Sequence, residues 1–255
     1  MSIVGFQLFF LISVRIGSFM VSSPIFSMKS MPKLLKIGFV FIFSFLLFNV
    51  IPLDEGIINN NMLSYFMLII KETIFGLILG YLTNIIFVSL QMAGQMIDFQ
   101  SGFAIASSFD PVTGNRISLY GKIYYWLGLI LFFVIDGHHY LLYSLAKSFE
   151  LVSLTKFDLG NLGADTIGKF FTESFVIAFQ IAVPLIFILL LSTIVVGLLA
   201  RTVPQINIFI LGLPLKVLVG ILTMLVLLPA IGNQMINLIE TLPYKMDRIL
   251  TLFGG

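Results

Sequence analysis

Residues 174–200 read SFVIAFQIAVPLIFILLLSTIVVGLLA, without one Asp, Glu, Lys or Arg, and this stretch decides the fold class. A helix needs roughly 20 such residues to cross a hydrocarbon core of about 30 Å. A soluble helix of that length would need a charged face, and none is available here. Comparable uncharged runs occupy 37–51, 73–97, 123–135 and 217–239, and the run 3–20 is broken only by Arg15. Over 255 residues, 59% are hydrophobic and 10% charged, with a mean hydropathy of +1.10, so lipid is the main solvent. The pattern predicts an all-α, polytopic membrane protein with about six spans, the second and fourth needing flanking residues to reach full length. No basic residue precedes Arg15 and no small-x-small site follows Met20, so the first run reads as a span and not as a cleaved leader.

Charge and composition exclude several functions. A net charge of +2 leaves no footprint for nucleic acid. Zero cysteines rule out disulfides and thiolate metal sites. The histidines, His138 and His139, are adjacent, which on a helix turns them about 100° apart, so joint chelation is not expected. Neither a metal nor another cofactor is expected, and no nucleophile and base stand in one cluster as an enzyme would require.

Alternating the spans puts Lys29, Lys33, Lys36, Arg116, Lys122, Arg201 and Lys216 on one side. It puts Lys71, Lys147, Lys156, Lys169, Lys245 and Arg248 on the other, together with the acidic Asp54, Glu55, Asp158, Asp165 and Glu173, which decide the orientation. The first side reads as cytoplasmic, with both termini outside. Pro32 suits the first turn of the second helix. Arg15 is expected near a span end with its head at the interface. Residues 147–173 read as the one sizeable extramembrane connection. Tyr124, Tyr125 and Trp126, with Tyr140 and Tyr143, read as interfacial belts. Pro184 and Pro229 are expected to bend their helices.

The third helix carries the clearest periodicity. Gly76, Gly80, Asn84, Gln91, Gln95 and Asp98 fall on one face, a stripe of small and polar groups that lipid would penalise. It therefore faces other helices or a wet cavity. The following segment 101–116 holds Gly102, Asp110-Pro111 and Gly114-Asn115, which cannot continue a helix. Its apolar residues, Phe103, Ile105 and Phe109, either pack on the chain's own bundle or line a constriction.

Residues 201–216 read Arg-Thr-Val-Pro-Gln-Ile-Asn-Ile-Phe-Ile-Leu-Gly-Leu-Pro-Leu-Lys. This segment resembles the signature of the FliR/SctT family: Pro-Gln, a small polar residue, an aliphatic run, then Gly-x-Pro-Leu. The run Gln91-Met-Ala-Gly-Gln-Met-Ile-Asp98, then Gly102-Phe103 and Phe109-Asp110-Pro111, are similar to the family's central segment. Asp136-Gly137-His138 looks like its Asn-Gly-His with Asp substituted. The matching pieces stand in family order along essentially the whole chain.

The resemblance implies a single-copy core subunit of a bacterial type III export gate, joined to FliP-type and FliQ-type membrane subunits and working with FlhB- and FlhA-type export proteins on unfolded cargo. It implies the inner membrane, at the flagellar basal body, with lipid as a further partner. It also implies a FliP-like part over 1–165, with central loop 101–116, and a FliQ-like hairpin over 166–255, with a joint at 201–216. In that joint Pro204, Gly212 and Pro214 fix backbone shape, and Arg201, Gln205 and Asn207 supply polar groups. The stripe on the third helix then has subunits to face, and Phe109, with Phe103 in reserve, becomes a candidate for the resting seal. A virulence secretion subunit is an alternative within the family. The alternative outside it is a secondary transporter with Arg15, Glu72 and Asp98 as membrane-depth charges, although no matched internal repeat supports one.

Overall fold

The computed structural model describes residues 3–28, 31–51, 62–103, 118–154, 164–202 and 208–254. All regular structure among them is helical: α1 (Ile3–Ser22), α2 (Lys33–Val50), α3 (Met62–Ser101), α4 (Leu119–Val134), α5 (Gly137–Leu151), α6 (Ala164–Thr202), α7 (Ile208–Glu240) and α8 (Leu242–Gly254). By length and hydropathy 5 helical stretches can cross a membrane, or 6 if α4 and α5 together form one bent span. The break between those two falls at Asp136, whose φ of 57° lies in the left-handed region. Asn and Asp are the side chains that tolerate it best, because they can hydrogen-bond locally.

Several elements run further than the uncharged stretches suggest. Helix α3 has 40 residues, about 60 Å at roughly 1.5 Å per residue, twice a hydrocarbon core. It ends at Ser101, and Gly102 follows with φ +89°, a stop that only glycine makes without cost. The expected polar connection at 147–173 is largely helix: Lys147 lies inside α5, and α6 begins at Ala164. The joint 201–216 is also shorter than its motif. Arg201 closes the last turn of α6, while Gly212 and Pro214 lie inside α7. Pro214 is the seventh residue of α7, past the first turn, so it withholds one N–H from the carbonyl four residues back. Pro184 and Pro229 likewise sit within α6 and α7.

The chain divides into two compact units. The first comprises Met1–Ile85, Asp136–Phe170 and Glu240–Gly255; the second comprises Ile86–Ile135 and Phe171–Ile239. In the first, Leu8, Leu11, Ile12, Ile16 and Phe19 of α1 are buried with Phe75 and Leu79 of α3 and with Leu141, Leu145 and Phe149 of α5. Helix α8 packs on α5, burying Met246, Ile249, Leu250 and Phe253, with a Lys147–Asp247 ion pair at 2.9 Å. In the second unit, Leu90, Ala93 and Ile97 of α3 meet Tyr120 and Tyr124 of α4 and Ala178, Ala182, Leu185 and Leu189 of α6. Tyr124 is fully buried there, which removes it from the interfacial belt expected of it; Trp126 is half exposed.

Candidate functional site

Arg15 is buried at the centre of the first unit and not at an interface. Its Nε lies 2.5 Å from Glu72 Oε2 and its Nη2 3.1 Å from Oε1, a two-pronged pairing of planar groups. Nη1 donates to the carbonyls of Ser148 and Val152, both at 3.0 Å. Those carbonyls lie at the end of α5; Ser148's also accepts the Val152 N–H, and the guanidinium adds a donor to each and a positive charge where a helix C-terminus favours one. The rings of Phe75 and Phe149 lie 4.7 and 4.3 Å from the guanidinium carbon. One arginine thus ties α1, α3 and α5 together. Sequence spacing hid this because its acidic partner lies 57 residues away.

The glycines of the predicted stripe explain how α1 and α3 come close enough for that pairing. A methyl group on Gly76 would strike the Arg15 carbonyl and the Ser18 hydroxyl; one on Gly80 would strike the Phe19 carbonyl and the Ser22 hydroxyl. Both glycines therefore seat α3 on the backbone of α1 in the same chain. Asn84 and Gln91 are half-buried and Gln95 is exposed. Gln95 borders a groove of about 530 Å³ lined by Met92, Met96, Phe99, Phe175 and Phe179.

Asp98 is 4% exposed and works as a helix cap. The Ser118 hydroxyl donates to its Oδ2, and the backbone N–H of Tyr120 donates to Oδ1 at 3.3 Å. Ser118 in turn accepts from the N–H of Gly121 at 2.8 Å, so two side chains satisfy the open end of α4. Near this cap Gly94 faces Gly121, where a methyl group would land on the Gly121 backbone. Gly94 lies beside the face that carries Gly76, Gly80, Gln91, Gln95 and Asp98, so the periodicity of that stripe does not reveal this crossing. We expect Asp98→Asn to lower stability by at most about 1 kcal/mol, the worth of the charge at a helix N-terminus. Asp98→Leu, which leaves Ser118 and the N–H groups without their acceptor, should cost about 1–3 kcal/mol. Melting midpoints of the detergent-solubilised protein measure both.

Of the proposed seal residues, Phe103 stacks edge-on against Tyr120, ring centroids 6.0 Å apart. Phe109 lies outside the described residues, as do Pro204, Gln205 and Asn207. Arg201 is exposed, Gly212 buried and Pro214 exposed. The histidines depart from expectation: their rings lie 4.1 Å apart, tilted by 37°, and with Asp136 they offer ligand atoms within 4.8 Å of one another. The left-handed turn at Asp136 folds its carboxylate back to 3.4 Å from His139 Nδ1. Among the described residues this is the one grouping that could hold a metal ion, and it is largely exposed.

Comparison with known proteins places this geometry in context. A family model described as "Bacterial export proteins, family 1" matches residues 6–242. The chain is 34% identical to the flagellar biosynthetic protein FliR of Bacillus subtilis (strain 168) over 253 residues, covering 98% of this chain and 96% of that protein. It is 28% identical to the protein of that name from Aquifex aeolicus (strain VF5), over 88% of this chain and 86% of the other. With the Escherichia coli (strain K12) protein of that name the identity is 29%, over 89% and 86%.

Proposed function

The chain belongs to the bacterial export proteins, family 1, and from that membership we propose that it is a core subunit of the flagellar type III export gate. That it is a membrane-integral protein of flagellar biosynthesis and export follows from the family and from its helices. The finer reading is that one copy joins FliP-type and FliQ-type subunits into a closed entry pore in the inner membrane, at the base of the flagellum. FlhB- and FlhA-type proteins would deliver unfolded flagellar proteins to it. This is a structural component of an export machine, and it is not an enzyme. The observation that carries the reading is the 34% identity to a flagellar relative over nearly the whole of both chains. The flagellar names of the relatives favour this system over a virulence one. A transporter relay is disfavoured because Arg15 and Glu72 are locked to each other and Asp98 caps a helix.

Within that reading, residues 1–165 form the FliP-like part and 166–255 the FliQ-like hairpin, with 201–216 as the joint between its arms. The polar group of α3 that the chain leaves open, Gln95, faces a neighbouring subunit at the Met- and Phe-lined groove beside it. Mass measurement after mild detergent extraction tests the assembly. A gate subunit emerges in a large complex with two other small membrane proteins, whereas a lone chain or homodimer would overturn the proposal.

The seal is carried by the loop of Phe109. A secretion channel must pass an unfolded chain yet retain ions at rest, and a ring of apolar side chains does both by dewetting the gap. Replacing Phe103 and Phe109 together by Ala is expected to give an assembled complex that leaks small ions, measured as dye-reported flux into vesicles. An assembled complex that stays ion-tight ends this assignment.

A further inference from the structure

We propose that the groove between α1 and α2 is a binding site for an acyl chain of an anionic membrane phospholipid, with Lys36 at its headgroup end. The groove encloses about 630 Å³. Phe10, Gly17 and Val21 form one wall, and Ile37, Val40 and Phe41 form the other. Both helices are long and apolar enough to lie in a bilayer. The walls are open to it: Val21 is 71% exposed and Phe41 60%.

Length and charge select the occupant. From Phe10 to Val21 the groove follows α1 for roughly 16 Å at about 1.5 Å per residue, close to the roughly 15 Å depth of one leaflet. Its inner end lies near the middle of α1, and its outer end reaches the α1–α2 link. There Lys36 donates to the Met28 carbonyl at 3.0 Å, one of three donors on its ammonium, with Lys33 exposed one turn earlier. An apolar slot one leaflet deep with cationic groups at its mouth matches an acyl chain below a phosphate. A partner helix of that length, about 10 Å across, would occupy on the order of 1,250 Å³ and stand largely outside the groove.

Gly17 provides the means of closing the slot. A methyl group there would meet Val40 Cγ1 at 3.9 Å, an ordinary contact, and the further carbons of Gly17→Leu have the groove itself to occupy. The test uses the full-length protein, purified with its native partners and placed in vesicles of phosphatidylglycerol and phosphatidylcholine. Each lipid is present in turn as a probe with a photoreactive group on its acyl chain. Adducts are expected on the peptides of α1 and α2, with phosphatidylglycerol favoured about fivefold, the effect of one lysine at an anionic surface. Lys36→Gln should abolish that preference, and Gly17→Leu should remove the adducts of both probes. Should Gly17→Leu lower the melting midpoint, Val21→Trp blocks the mouth from an exposed position instead. Equal labelling of the exposed face of α6, no headgroup preference, or adducts that survive a filled groove would each overturn the proposal. So would a groove from which both probes are excluded by a protein partner. Because the vesicle assay reads lipid and not export, its outcome is separable from that of the gate assignment.

Discussion

Glu72→Ala is expected to strip the protein from the membrane. The substitution leaves the Arg15 guanidinium buried among Phe75, Phe149 and two helix-end carbonyls with no counter-charge. Removing one partner of such a pair costs about 3–5 kcal/mol. That is a large part of the roughly 5–15 kcal/mol that a folded protein has in total. Arg15→Ala should be as harmful, since it orphans the carboxylate and also uncaps α5. The double replacement Arg15→Met with Glu72→Met separates these effects. It removes both charges and keeps apolar volume, so it should regain most of the loss, but not the part owed to the Ser148 and Val152 carbonyls. Membrane levels by immunoblot and melting midpoints in detergent measure the series. A Glu72→Ala protein that melts within a few degrees of the parent would show that the pair is dispensable.

Gly94→Val is expected to have the next largest effect. The atoms that a side chain at this position meets are backbone atoms of Tyr120 and Gly121, which cannot rotate away as a side chain can. Helices α3 and α4 would have to part, and the Asp98–Ser118 cap one turn along would part with them. Forcing methylenes into a packed contact costs about 1–3 kcal/mol even where side chains can yield, so Gly94→Ala should already register and Gly94→Val should abolish both accumulation and export. The matching control is Gly197→Ala in α6, where nothing lies within 4 Å of the added methyl. There the better helix propensity of alanine, worth up to about 1 kcal/mol, should leave the protein neutral or slightly stabilised. Equal losses at the two positions would refute the close-crossing account.

The helical membrane architecture was legible because burial in lipid is written in long uncharged runs such as 174–200. The extent of α3 was less so. Lys71 and Glu72 interrupt its hydropathy, and only the distant Arg15 makes one of those charges compatible with a helix interior. For the same reason Arg15 read as an interfacial residue: a composition window sees the charge and cannot see a partner on another helix. The stripe on α3 was found by period, yet the period could not say which neighbour each residue meets. Gly76 and Gly80 meet α1, Asp98 meets the start of α4, and Gln95 remains open. Adjacent histidines looked divergent on an ideal helix, but they open α5 just after a left-handed residue, and their rings come together.

The seat of α8 on α5 bears on how the protein is made. Lys147 and Asp247 pair across 100 residues of chain, and the first unit draws on segments from both ends of the sequence. A ribosome therefore delivers α1, α2 and α5 well before the helix that covers α5 exists, and contacts of such long separation form late. A product halted before α8 would leave the apolar face of α5 uncovered, the kind of surface that membrane proteases and chaperones act on. The cover of α5 thus waits on the synthesis of residues Leu242–Gly254.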